Sequence, residues 1–145
     1  MATKRTGNTF RRPDEIFTHL AKDPLCRLYL FHGDETYFID RAVSCVHKTL
    51  GQDVAVYTFY AGEDSLDHLL EAWGSPSLFA KQSLVVLKGA GRLTAADRER
   101  LAAEAELRDA SQPLVVCLQG RANLSLKFFS VCAKHGFVAE FRSPF

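Results

Sequence analysis

Residues 25–50 read LCRLYLFHGDETYFIDRAVSCVHKTL. Leu25 to Phe31 is a mostly apolar run of a length that suits a strand buried on both faces. His32-Gly33-Asp34-Glu35 is turn chemistry, with Asp34 a good N-cap and Glu35 setting negative charge near a positive helix start. Phe38, Ile39, Ala42, Val43, Val46 and Leu50 then recur at spacings of three and four, and Gly51 stops the helix they describe. A strand that feeds a helix through a short turn is half of a βαβ unit. The fold depends on whether the pattern repeats.

It repeats. Val54 to Tyr60 (VAVYTFY) is β-branched and aromatic, as strands are. Glu63 to Trp73 is helical, with Leu66, Leu69, Leu70 and Trp73 on one side. Ser83 to Leu87 is a third strand, and Thr94 caps the helical segment TAADRERLAAEAEL. Pro113 precedes a fourth strand, LVVCLQ. Asn123 to His135 reads as a helix with Leu126, Phe129, Val131 and Cys132 inward, and Gly136 ends it. Phe137 to Phe141 (FVAEF) alternates as a final, edge strand would. Upstream, Pro13 sits in the first turn of a helix carrying Ile16, Phe17 and Leu20, which Asp23-Pro24 ends.

Five short strands alternating with helices predict an α/β fold, a three-layer sandwich around a mainly parallel five-stranded sheet. Right-handed crossovers put helices on both faces. No internal repeat, low-complexity tract or linker interrupts the pattern. Residues 13–145 therefore read as a single domain, and residues 1–12 as a basic, flexible tail.

The 145 residues carry a formal net charge of +1, which gives no general pull toward nucleic acid. Lys4, Arg5, Arg11 and Arg12 precede the first acid, Asp14. They form either a phosphate-contacting arm or an ordinary frayed terminus. No apolar run approaches the roughly 20 residues of a membrane span, and the N-terminus lacks the apolar core of a secretory signal. Cys26, Cys45, Cys117 and Cys132 show no CxxC or Cys/His ligand spacing. Cys26, Cys45 and Cys117 fall in runs read as buried, as reduced core thiols do. A cytoplasmic location is the expectation.

In open parallel sheets, ligands bind beyond the carboxyl ends of the strands. The first loop there, His32 to Thr36, has one glycine, no lysine and two carboxylates. A phosphate loop needs several glycines for close backbone approach, then Lys and Ser/Thr for charge and metal. Gly33, Asp34 and Glu35 thus occupy the position of a phosphate loop without its chemistry. GxGxxG is absent as well, so hydride transfer has no equipment. No intrinsic catalytic activity, cofactor or metal is expected. A nucleotide-binding enzyme domain with an atypical phosphate loop stays as an alternative. A receiver-like signalling module is a second one. The Asp34-Glu35 pair suits it, but the third strand ends in Leu87-Lys88-Gly89 with no phosphoacceptor aspartate. The histidines form no HxxxH or HExxH pair, and only His32 stands in a sheet-end loop.

Three segments carry a resemblance: LYLFHGDETYFIDRAV (Leu28 to Val43), FYAGE (Phe59 to Glu63) and SLFAKQSLVVLKGAG (Ser77 to Gly91). Together they resemble the N-terminal domain of the delta subunit of the bacterial DNA polymerase III clamp loader. That domain is a degenerate member of the AAA+ (P-loop NTPase-like) fold without a Walker A motif. The resemblance runs from about Phe10 to the end of the chain. The family's lid and collar domains have no counterpart here, so an N-terminal fragment or a short paralogue is expected.

The resemblance implies a role in DNA replication, as a non-catalytic subunit of a DNA polymerase holoenzyme. The implied partners are the beta sliding clamp and the ATPase and delta-prime type subunits, with DNA met only through the full complex and no membrane. It makes Leu78 and Phe79 a hydrophobic wedge that enters the clamp, presented by Ser75-Pro76-Ser77. Trp73, Ser77, Ala80 and Lys81 are the supporting contacts. The family motif often has a glutamine four residues before the leucine, where Gly74 stands. Judged on periodicity alone, Leu78 and Phe79 instead plug their own core at a strand entrance.

Overall fold

The computed structural model describes residues 9–22, 26–75, 80–107 and 112–142. The strands are β1 (Thr9–Phe10), β2 (Leu28–Gly33), β3 (Val54–Tyr60), β4 (Gln82–Lys88), β5 (Leu114–Gln119) and β6 (Phe137–Phe141). The helices are α1 (Pro13–Lys22), α2 (Thr36–Leu50), α3 (Leu66–Gly74), α4 (Ala95–Leu107) and α5 (Lys127–His135), with a short 3₁₀ turn at Ala90–Arg92. One six-stranded sheet runs in the order β1-β6-β2-β5-β4-β3. Every strand pair in it is parallel.

The topology follows from one handedness rule. The connections β1 to β2 and β2 to β3 travel across the sheet in one direction, and those from β3 through β6 travel back. Right-handed crossovers put outbound and returning helices on opposite faces. The packing agrees: Ile16, Leu20, Ile39, Ala42 and Val46 of α1 and α2 cover Tyr29, Phe31, Leu84, Val86, Val115 and Cys117. On the other face Leu69, Trp73, Leu101, Phe128 and Cys132 of α3, α4 and α5 cover Leu28, Leu30, Val85, Leu87, Leu114 and Val116. Odd and even strand positions therefore belong to different cores, as the period of two requires. This is the expected three-layer sandwich.

Four details differ from the sequence expectation. A sixth strand exists: Thr9–Phe10 lies in the stretch read as tail, and pairs with Val138 and Ala139 of β6. Phe10 is buried and stacks on Phe137 at 4.7 Å, which holds the strand down. In consequence β6 is an interior strand, buried at all five positions, and β3 is the far edge. Helix α5 begins at Lys127, four residues late. Asn123 instead accepts hydrogen bonds from the Ser125 N–H and hydroxyl, an Asx turn that competes with helix. Cys26 and Cys45 are only half-buried, whereas Cys117 and Cys132 are buried. The cap at Thr94 is as expected, with its hydroxyl accepting from Asp97 N–H and its own N–H donating to the Asp97 carboxylate.

Candidate functional site

Helix α3 ends at Gly74, and β4 begins at Gln82, at the amino end of the sheet. Ser77, Leu78 and Phe79 lie outside the described residues, and the two sides of that segment are well defined. On the α3 side, Trp73 is 2% exposed, and its indole Nε1–H donates to the Gln112 carbonyl at 3.1 Å. On the β4 side, the Lys81 N–H donates to Asp53 Oδ2 at 3.2 Å, and Gln82 Nε2 to the Leu50 carbonyl at 3.1 Å. Gly74, Ser75, Lys81 and Gln82 are exposed, and Ala80 is half-buried. Trp73 does not stand with them. An indole sealed in the core and bonded to the β5 entry holds α3 down and has no surface to give a partner. The expected Trp73 contact is corrected on that ground.

At the opposite, carboxyl end, Gly33 closes β2. Its N–H donates to the Gly120 carbonyl at 2.8 Å, and the Gly120 N–H returns a bond to the Gly33 carbonyl at 2.7 Å. The Glu35 N–H donates to the Phe141 carbonyl at 3.2 Å. A phosphate loop works by leaving such donors free, and here they are spent on β5 and β6. Glu35, not Asp34, is the residue at the N-cap position of α2, and no side chain caps it. The bond to Phe141 fixes where the helix starts, so the cap expected at Asp34 is displaced by one residue.

Beside that loop lies a polar cluster. Glu140 is buried at 3% exposure, and the Nε atoms of three arginines converge on it: Arg142 at 2.9 Å, Arg11 at 3.0 Å and Arg121 at 3.6 Å. Burial favours the neutral carboxyl. The hydrogen bonds from Arg142 and Arg11, with the charge of Arg142, outweigh burial and hold it below the usual carboxylate range. His32 is 2% exposed, and its Nδ1 accepts the Ala122 N–H at 3.0 Å. Burial lowers its pKa below the ordinary histidine value; the nearby Glu140 opposes this, and Arg121 and Arg11 add to it. The imidazole is thus neutral at pH 7, with Nδ1 the acceptor and the proton on Nε2.

Sequence reading singled out His32, and Arg11 as one residue of a basic terminal stretch, but did not bring the two together or name Arg121, Glu140 and Arg142. Arg11 directly follows β1, Arg142 directly follows β6, and Arg121 lies two residues beyond β5. In a parallel sheet, all such positions fall at one end. A basic residue just past several strands is therefore the signal that pointed here. The core thiols offer no chemistry: burial pushes Cys117 up to about 12, against the pull of Lys88, and pushes Cys132 up further. Among the described residues, no helix is long and apolar enough to cross a membrane.

The features so far define an α/β domain of the parallel, doubly covered type, with its phosphate-loop position closed by its own sheet. No family model matches the sequence, and no curated protein does. Among solved structures, the chain is similar to the Bacillus subtilis DNA clamp loader delta protein (YqeN), with a TM-score of 0.73 at 19% identity. The match covers 90% of this chain and 42% of that one. The chain thus shares its fold with part of that protein and spans less than half of its length.

Proposed function

We propose that this chain is the clamp-binding domain of a clamp-loader delta subunit, a non-catalytic part of the DNA polymerase III replication machinery. Leu78 and Phe79 form its wedge into the beta sliding clamp. The observation that supports this best is the likeness of fold to a delta protein, in a chain with Leu-Phe between α3 and β4. The fastened residues on both sides of that segment add to it, because a hot spot works best on a rigid support.

Burying a Leu or a Phe side chain contributes about 1.5–3 kcal/mol each. The pair then contributes about 3–6 kcal/mol, against about 8 kcal/mol net for micromolar binding. Leu78 and Phe79 are the hot spot, and neighbours supply the remainder. With Trp73 in the core, those neighbours are Ser77, Ala80 and Lys81. The wedge opens or holds the ring if it binds the open form better than the closed one. ATPase and delta-prime type subunits control when it is presented, and DNA is met through the whole assembly in the cytoplasm.

The test is a clamp pull-down with the native chain and with Leu78→Ala/Phe79→Ala, both checked for fold by circular dichroism. Capture of the native chain and loss of the double variant is the expected result. Equal capture of the two removes the wedge.

A further inference from the structure

The carboxyl end of the sheet holds a cavity that clamp binding does not use. β2 and β5 are neighbours in the sheet, yet α2 leaves β2 toward one face and α5 follows β5 on the other. Adjacent strands whose exits part in this way open a crevice, the usual ligand position of open parallel sheets. Here the crevice is a cavity of about 450 Å³, lined by His32, Arg11, Arg121, Glu140, Asn123 and Leu124. That volume lies within the range of small-molecule sites.

Two observations define what it would hold. His32 spends Nδ1 on Ala122, and its Nε2 is buried with no hydrogen-bond partner among the described residues. A buried donor without an acceptor is costly, and each such group calls for a partner. Independently, Arg11, Arg121 and Arg142 each meet Glu140 through Nε. Their terminal nitrogens, which form the bidentate fork, have no other partner among the described residues. Three positive charges surround one negative, so the cluster keeps a net charge of +2.

We propose that this cavity binds a phosphate group, held by the terminal nitrogens of Arg11 and Arg121 and by the Nε2–H of His32. The donors come from the ends of three different strands, so they converge from three directions. A tetrahedral oxyanion, with acceptor oxygens pointing in three dimensions, suits such an arrangement. The space beside Asn123 and Leu124 exceeds what a free ion fills, which favours a phosphate monoester on a small molecule. Asp34 and Glu35 do not line the cavity. The site is not a displaced phosphate loop for a triphosphate, since the described residues that line it include no lysine and no hydroxyl side chain to hold magnesium. Nor does it depend on the clamp reading, which concerns the other end of the sheet.

Calorimetric titration of the full chain with inorganic phosphate and with adenosine 5′-monophosphate tests it, with NMR on the His32 ring nitrogens and the Ala122 amide. Saturable binding that shifts both signals is expected, and is weakened at least tenfold by Arg121→Ala at unchanged melting temperature. His32→Asn, which keeps an acceptor for the Ala122 N–H, weakens it likewise. Tighter binding of the monophosphate assigns a monoester, and equal binding assigns the free ion to the same donors. Absence of saturable binding of either probe at millimolar concentration overturns the site, as does binding indifferent to both Arg11→Ala and Arg121→Ala.

Discussion

His32 and Glu140 are both buried beside the same arginines, and both release their protons more readily in the folded chain than in the unfolded one. When a group's pKa is depressed on folding, the unfolded chain takes up the proton first, so acid favours unfolding. Stability from His32 is complete above its ordinary value of about 6.5 and is lost as the pH falls below it. The contribution of Glu140 is complete above its ordinary value of about 4.5 and is lost as the pH falls below that. The melting temperature should therefore fall in two stages on acidification. His32→Asn should remove the upper stage and leave the lower. A melting temperature that stays level from pH 7 to pH 5 in the native chain contradicts the burial assigned to His32. Gly33 supports a second prediction. Its φ is +131°, and an added methyl would run into the Phe141 carbonyl, whereas Gly51 at φ +113° has open space around it. Gly51→Ala carries backbone strain alone, about 1–2 kcal/mol, and Gly33→Ala should cost roughly 3 kcal/mol or more by urea unfolding. Equal costs would show that the closed loop position tolerates a side chain.

Among the elements, α3 is the one whose role the structure changes. Its Trp73 sits in the core and bonds to Gln112. Trp73→Phe removes that donor and leaves a small void, and should cost about 1–3 kcal/mol of stability. Clamp affinity per folded molecule should be unchanged, as competition assays at low temperature would report. A loss of affinity at intact stability returns Trp73 to the interface. The element pattern itself was largely legible, because β2, β4 and β5 are covered on both faces and so read as apolar runs. β1 was not, since two residues in a basic stretch carry no periodicity, and only pairing with β6 makes them a strand. The start of α2 was misplaced by one residue because a tertiary bond to Phe141 sets it. The edge character assigned to β6 belongs to β3, where Val56, Tyr57 and Tyr60 remain exposed. Aromatic and β-branched composition marks a strand but not its neighbours. Of the sheet-end site, His32 was visible as a loop histidine and Arg11 as part of a basic terminal stretch, but not their meeting. The arginines lie on chain segments joined only by the topology, and Arg11 meets Glu140 from 129 positions away.

At the scale of the whole molecule, the two candidate sites occupy opposite ends of one sheet. Loops that enter parallel strands lie at their amino end, and loops that leave lie at their carboxyl end. The α3–β4 segment is of the first kind and the His32 cavity of the second, with the length of strands β2, β4 and β5 between them. A packed sheet of this kind transmits little unless it has two alternative arrangements, and the structure shows one. The sites should therefore be separable. Leu78→Ala/Phe79→Ala should lower clamp affinity about 100-fold or more, from the loss of at least about 3 kcal/mol, and leave phosphate binding within error. Arg121→Ala should do the reverse. The two variants, each measured by titration against clamp and against phosphate, form a double dissociation. Loss of phosphate binding in the wedge variant, or of clamp binding in the arginine variant, would mean that the ends are coupled. The domain would then have a second state, in which an anion at the closed phosphate-loop end sets how firmly the clamp is held.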